Sequence, residues 1–167
     1  IVRITEVNEK AILANVQGLG ASNQGTDARR IQENSVGGTN VGGLITASDP
    51  DLLGTSNANL VYQLAVTSAD GTNHPFEVDT VSQLHAQIKV KTNVVAANGL
   101  NYETKDKYTL TLTATDQDGA GLAVSAQIDV LVLNVNEGPL LPSKICNVDE
   151  NVEIGHVVCN VLSTDPD

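Results

Sequence analysis

Hydrophobic and polar residues alternate along short stretches of this chain, with the period of a β-strand. The alternation is clearest over residues 108–115, where Tyr, Leu, Leu and Ala at even positions alternate with four threonines. Successive side chains of a strand point to opposite faces, so one face of this strand should enter a core and the other should meet mostly water. No segment keeps an apolar period of 3.6 over the length of a helix.

Turn residues separate the β-like stretches and divide the chain into short strands. Strands are predicted near residues 41–47, 60–66, 76–78, 84–91, 108–115 and 122–135. Residues 11–27, rich in Gly, Ser and Asn, are predicted as a loop or an irregular first strand. About seven strands with turns between them indicate an all-β protein, a seven-stranded antiparallel Greek-key β-sandwich of immunoglobulin-like type. The Cys and Trp pattern of antibody domains is absent.

Composition agrees with this fold and narrows the choice of partners. Only 2% of residues are aromatic against 41% hydrophobic, so Val, Leu, Ile and Ala must build the core, and such residues fit pleated sheets. The 20 acidic residues against 9 basic ones give a net charge of −11, which argues against nucleic acid and favours cations. No apolar run approaches the roughly 18–20 residues that cross a bilayer, so this segment is not expected to contact a membrane.

Many of the acidic and amide side chains belong to motifs that occur twice in the same order. Residues 6–9 (Glu-Val-Asn-Glu) return as 134–137 (Asn-Val-Asn-Glu), 32–34 as 149–151, and 49–51 (Asp-Pro-Asp) as 165–167. Such repetition indicates a tandem array cut out of phase. We therefore expect a complete unit over residues 28–137, the end of a preceding unit over 1–10, and the start of a following unit over 138–167.

The chain has two cysteines, Cys146 and Cys159, both in the predicted following unit. A disulfide joining the first two strands of that unit is the favoured interpretation, and it would imply an oxidising compartment. A pair of free buried thiols is the alternative.

In their order, the motifs resemble those of the extracellular cadherin repeat. Gln32-Glu33-Asn34 is similar to the family's x-E-x motif, Asp49-Pro50-Asp51 to its D-x-D, Leu100-Asn101-Tyr102-Glu103 to its L-D-R-E, Ala114-Thr115-Asp116 to its A-x-D, and residues 134–138 to its linker D-x-N-D-N. Each tripeptide alone is a weak signal, whereas five in order are specific.

The resemblance implies that Ca²⁺ binds between successive repeats, three ions to a junction in the family. Calcium takes about 6–8 oxygen ligands in flexible geometry, which Asp, Glu, Asn and carbonyl groups supply. The downstream junction would use Glu33, Asn101, Glu103, Asn136, Glu137, Asp165 and Asp167. The upstream junction would use Asn8, Glu9, Asp49, Asp51, Asp116 and the backbone carbonyl of Asn57. Asn101 and Asn134 replace the family's Asp and so remove charge, which predicts weaker binding or fewer ions downstream.

The function implied is a calcium-dependent structural and adhesion module that stiffens a tandem array in a cell-surface or extracellular fibre protein. Its partners would be neighbouring repeats of the same chain. The resemblance also leaves open a homophilic or heterophilic protein partner. The alternative is a generic extracellular immunoglobulin-like or carbohydrate-binding sandwich, with calcium only stabilising or absent. An enzyme is not expected, because no nucleophile elbow, phosphate loop or metal spacing accompanies the histidines at positions 74, 85 and 156.

Overall fold

The computed structural model describes residues 2–3, 7–16, 28–50, 60–66, 74–94, 99–116 and 121–167. The chain divides into two compact units, Ile1–Asn134 and Val135–Asp167. In the described part of the chain, all regular secondary structure is β-strand.

The first unit is a two-sheet structure. Its strands are β1 (Ile12–Ala14), β2 (Arg29–Gln32), β3 (Ile45–Ser48), β4 (Leu60–Val66), β5 (Phe76–Ser82), β6 (His85–Val90), β7 (Lys107–Asp116) and β8 (Ala123–Leu133). One sheet has the order β1-β3-β6-β5 and the other β2-β8-β7-β4. All pairings are antiparallel except that of β2 with β8, which is parallel. The all-β prediction is confirmed, with eight described strands instead of about seven.

The core follows from the alternation read in the sequence. The even positions of β7, from Tyr108 to Ala114, are buried, and the threonines between them are half-buried. Ile128, Val130 and Val132 of β8 face the same core. The ring of Phe76 on the other sheet meets the ring of Tyr108 edge to face, with centroids 5.1 Å apart. Each fully buried aliphatic side chain stabilises the fold by roughly 1.5–3 kcal/mol, so the core holds the two sheets together without Trp or Met.

A buried arginine accounts for the chain's departure from the predicted start of β3. Arg29 is only 2% exposed, and its guanidinium donates to the carbonyls of Val41 (2.8 Å) and Gly43 (2.5 Å). The N–H of Val41 still donates to the Ile88 carbonyl of β6 at 2.8 Å, whereas the carbonyls of Val41 and Gly43 accept from Arg29. Gly42 has a φ of 68°, in the left-handed region that favours glycine, and β3 begins at Ile45 instead of residue 41.

The same guanidinium also fixes the segment after β1. It donates to the carbonyls of Asn15 and Val16, both at 2.9 Å. Burial lowers the pKa of Arg29 to about 10, and the four carbonyls supply the hydrogen bonds that a buried cation requires. Arg29, the first residue of β2 in one sheet, therefore links β2 to the segment after β1 in the other sheet. Of the predicted loop or irregular first strand at residues 11–27, β1 is the strand that the described residues contain.

The second unit is held by a disulfide and a single β-bridge. Cys146 and Cys159 are joined, with their Cα atoms 6.1 Å apart, as predicted. Leu140 and Thr164 exchange two backbone hydrogen bonds of 2.7 and 3.0 Å. The expected two strands do not form among the residues of this unit. Apolar side chains such as Ile145, 92% exposed, find no core within these residues, and strands need a buried face for stability.

Candidate metal centre

The first unit holds a buried carboxylate directly after β2. Glu33 is 2% exposed, and its backbone N–H donates to the carbonyl of Leu133, 3.0 Å away, at the end of β8. Its carboxylate Oε2 accepts a hydrogen bond from the backbone N–H of Tyr102 at 2.8 Å. The main chain thus holds Glu33 at two points, its backbone through Leu133 and its carboxylate through Tyr102. A buried glutamate is rare unless its charge is compensated.

Glu103 brings a second carboxylate to this position. Oxygen atoms of Glu33 and Glu103 lie within 4.8 Å of each other, and Glu103 is exposed. The proximity follows from the Tyr102 hydrogen bond, because Tyr102 immediately precedes Glu103 in the chain. Two carboxylates at this distance repel each other and favour a bound cation, and their oxygens are the ligands that calcium takes. The donor chemistry therefore fits a hard divalent cation.

Asn101, the third predicted ligand in this unit, stabilises the local turn. Its Oδ1 accepts the backbone N–H of Thr104 at 2.6 Å, and the carbonyl of Asn101 accepts the N–H of Lys105 at 2.9 Å. This is the side-chain-to-backbone turn that Asn and Asp favour. A carbonyl oxygen has two lone pairs, so the turn leaves one for a further ligand interaction.

The predicted ligands of the second unit also lie together. The backbone N–H of Glu137 donates to Asp167 Oδ2 at 2.5 Å, and that of Asp167 donates to Asp165 Oδ1 at 3.4 Å. Asn136 Nδ2 donates to the Glu137 carbonyl at 3.0 Å. The bridge between Leu140 and Thr164 explains how residues about 30 positions apart meet. This unit therefore gathers four of the predicted oxygen donors by itself.

The predicted upstream ligands lie elsewhere in the first unit. Asp116 ends β7, whereas Glu103 precedes it, and a ten-residue strand spans about 33 Å. The pairing of Ile12 with Ser48 places Asp49 opposite residue 11, near Asn8 and Glu9 in the chain. Asp51 and Asn57 are outside the described residues, so their predicted roles stay predictions.

Burial distinguishes the upstream residues from ordinary surface acids. Asp116 is 1% exposed, and one carboxylate oxygen of Asp49 is also buried. Both amide atoms of Asn8 are buried and have no hydrogen-bond partner among the described residues, which is costly for a polar group. Glu9, in contrast, is exposed.

The duplicated Glu-Asn motif adopts the same backbone conformation in both copies. Asn34 has a φ of 58° and Asn151 a φ of 66°. Asn is among the few residues that tolerate this left-handed region. The Asn after each Glu therefore serves a turn. The amide of Tyr102, which orients Glu33, was missed in the sequence, because a backbone donor carries no residue-type signal.

Comparison with known proteins identifies the family. The family model described as Cadherin domain matches residues 28–133 of this chain. This chain belongs to the cadherin family. Cadherin-1 of Gallus gallus is 29% identical over 172 residues, which cover 100% of this chain and 17% of that protein. Cadherin-18 of Bos taurus is 32% identical over 139 residues, covering 75% and 16%.

Solved cadherin structures share the fold. The protocadherin gammaB7 EC3-6 cis-dimer structure is 25% identical with a TM-score of 0.57, covering 95% of this cadherin chain and 32% of that one. Human CDH23 EC21-23 is 18% identical with a TM-score of 0.61, covering 98% and 46%. Among described residues, no helix has the length and apolar character needed to cross a membrane.

Proposed function

We propose that this cadherin segment is a calcium-dependent structural module, and that Ca²⁺ bound at its unit boundaries rigidifies a tandem array. The observation that carries the proposal is the pair formed by buried Glu33 and exposed Glu103, with carboxylate oxygens within 4.8 Å of each other. If these two side chains had a purely structural role, an acid paired with a base would be more favourable than two acids. The pairing of two like charges instead suits a cation.

The proposed downstream site would take ligands from both units. Glu33, Asn101 and Glu103 would contribute from the first, and the set in the second would be Asn136, Glu137, Asp165 and Asp167. When bound, calcium supplies the positive charge that offsets repulsion among these carboxylates. The residues themselves hold the geometry, Glu33 through the amide of Tyr102 and Glu137 through Asp167. Shared coordination would restrict the motion of one unit against the other.

An upstream site of the same kind is proposed at the other end of the sandwich. Asn8, Glu9, Asp49 and Asp116 would contribute, with Asp51 and the carbonyl of Asn57. Support comes from the burial of Asp116 and of the Asn8 amide atoms. A cation beside Asn8 Oδ1 would compensate the cost of burying that oxygen.

The proposed organisation places a complete repeat at residues 28–137, between the end of one repeat (1–10) and the start of another (138–167). The shared left-handed conformation of Asn34 and Asn151 supports this assignment. Neighbouring repeats of the same chain would then be the main partners, in an extracellular or cell-surface array. The chain spans less than one fifth of the length of the curated relatives it matches. The proposals that it has an adhesive protein partner and that it has no catalytic activity therefore concern this segment alone.

Calcium binding and loss of inter-unit motion can be tested in one chain. Isothermal titration of the full segment with Ca²⁺ should show saturable heat in the roughly 0.01–1 mM range. Backbone ¹⁵N relaxation should give the two units different rotational correlation times in chelator and a common one in calcium. Because Asn101 stands where the family has Asp, we expect the calcium affinity to lie toward the weak end of that range.

A charge-matched variant makes this test specific. Glu103→Gln should abolish the convergence of the two correlation times, whereas Glu77→Gln, on strand β5 of the other sheet, should leave it intact. Saturable calcium binding with unchanged independent motion of the units would contradict the rigidification proposal. Equal effects of the two variants would contradict the assignment of the site.

A further inference from the structure

A polar cavity in the first unit takes no part in the proposed metal sites. It has a volume of about 280 Å³ and is lined by His74, Pro75, Lys91, Asn93, Val94, Gly99 and Tyr108. Lys91 and Asn93 follow β6, and His74 precedes β5. None of the described residues that line this cavity carries a carboxylate, although the chain has 20 acidic residues and a net charge of −11.

Hydrogen-bond donors dominate the polar lining. The Nδ1 atom of His74 accepts the N–H of Phe76 at 3.3 Å, so a neutral His74 must carry its hydrogen on Nε2, which leaves that nitrogen as a donor. The Lys91 ammonium forms no ion pair with a described residue. The Asn93 amide adds two further N–H donors.

Positive charge reinforces these donors. Burial lowers the pKa of the His74 imidazole, and the positive charge of Lys91 lowers it further. The charge of Lys91 therefore contributes a positive potential at this cavity, although the protein as a whole is acidic.

Backbone hydrogen bonds hold the rim in place. The N–H of Lys91 donates to the Pro75 carbonyl at 2.7 Å, and the N–H of Val94 donates to the Lys91 carbonyl at 3.0 Å. The N–H of Gly37 closes the rim from β2's side by donating to the Val94 carbonyl at 3.1 Å. A site whose donors are fixed before binding loses less entropy when a ligand arrives.

We propose that this cavity binds a small oxyanion, a sulfate group free or esterified to a sugar, through Lys91, His74 and Asn93. Charge-assisted hydrogen bonds from such donors suit sulfate oxygens. The volume is below the roughly 300–1,000 Å³ of drug-sized pockets, which limits the ligand to an anion or one sugar-sized group. The site is separate from calcium binding and does not depend on it.

The proposal can be tested by NMR on the full chain in calcium-free buffer. Sodium sulfate, glucose 6-sulfate and glucose are titrated separately at constant ionic strength, while amide and histidine ring signals are followed. Saturable shifts confined to His74, Lys91, Asn93 and their neighbours are expected with both sulfates and not with glucose. Tighter binding of glucose 6-sulfate would identify the esterified source, and equal binding the free anion.

Variants of one lysine separate the site from general electrostatics. Lys91→Gln should weaken sulfate binding on the order of tenfold or more, because it removes a charge-assisted hydrogen bond. Lys91→Arg should retain binding, and Lys144→Gln, which makes the same charge change in the second unit, should not alter it. The proposal is overturned if sulfate gives no saturable shift at the cavity, or if Lys91→Gln and Lys144→Gln weaken it equally.

Discussion

Replacing Glu103 by Gln should reverse the order of stability between wild type and variant when calcium is added. Gln keeps the shape and one side-chain oxygen of Glu but removes its charge. In the absence of metal, Glu33 and Glu103 repel each other, since their oxygens lie within 4.8 Å. The variant should therefore be the more stable protein in chelator and the less stable one in calcium.

The magnitude follows from Coulomb's law. Two unit charges 4.8 Å apart interact by about 3.5 kcal/mol at an effective dielectric of 20 and by about 0.9 kcal/mol in bulk water. Glu103 is exposed, so the lower part of that range applies and roughly 1 kcal/mol of stabilisation is expected for Glu103→Gln in chelator. For a unit of this size the midpoint temperature should rise by about 4 °C.

Calcium acts in the opposite direction. At a concentration of one hundred times its Kd, the ion stabilises wild type by about 2.7 kcal/mol. If Glu103→Gln weakens binding a hundredfold, the variant gains only about 0.4 kcal/mol at the same concentration. Wild type then becomes the more stable protein by roughly 1 kcal/mol, a difference that thermal unfolding resolves.

The assay is thermal unfolding of wild type, Glu103→Gln and Glu77→Gln, each in chelator and in a calcium series. Glu77→Gln removes the same charge, and its amide oxygen can still accept the Thr92 N–H that Glu77 Oε1 accepts at 3.2 Å. It should show the wild-type calcium response. If Glu103→Gln is destabilised equally in chelator and in calcium, the reasoning is refuted and Glu103 has a purely structural role.

Three further predictions concern other parts of the chain. Arg29→Leu should lower the free energy of unfolding, measured in urea, by about 3–5 kcal/mol, because buried carbonyls lose their charged donor. As the control, Arg30→Gln at the exposed next position should change that free energy by less than about 0.5 kcal/mol. Reducing the Cys146–Cys159 disulfide should cost about 3 kcal/mol, and amide NMR spectra should shift for residues 135–167 while those of the first unit stay in place. Burial lowers the pKa of His74 below its ordinary 6.5, so the unfolded chain binds the extra proton and stability should fall as the pH drops below about 6.5. His74→Gln should flatten that loss between pH 7 and 5 in urea midpoints, and an unchanged slope would contradict the assignment.

The sequence predicted the long strands well, because burial of one face imposes a period of two that is visible in the residues. It predicted the region of β1 only as a loop or an irregular first strand and did not predict β2, since three and four residues are too few to show a period. Their positions depend on hydrogen bonds from Arg29 to carbonyls 12 to 14 positions away. A buried arginine with only carbonyl partners has no local signature in the chain.

For the candidate site, the family's motifs identified residues that periodicity could not. Glu33 and Glu103 are 70 positions apart, and no local pattern indicates that they meet. The resemblance grouped them, and the structure shows the pair with its oxygens in proximity. Neither motif nor composition indicates why the two carboxylates lie close together. The reason is the hydrogen bond to Glu33 from the amide of Tyr102, which is next to Glu103 in the chain.

The parallel pairing of β2 with β8 determines at which end of the sandwich Glu33 of the proposed metal site lies. Because the two strands run in the same direction, Glu33 follows β2 at the same end of the sheet at which the chain leaves β8 after Leu133. Strand β7 is antiparallel to β8 and begins at that end, so the turn that carries Glu103 lies there too. Had β2 paired antiparallel with β8, Glu33 would lie at the opposite end, near Asp116. One short parallel strand, fixed at its other end by Arg29, is therefore what places the buried carboxylate where the chain passes to its next unit.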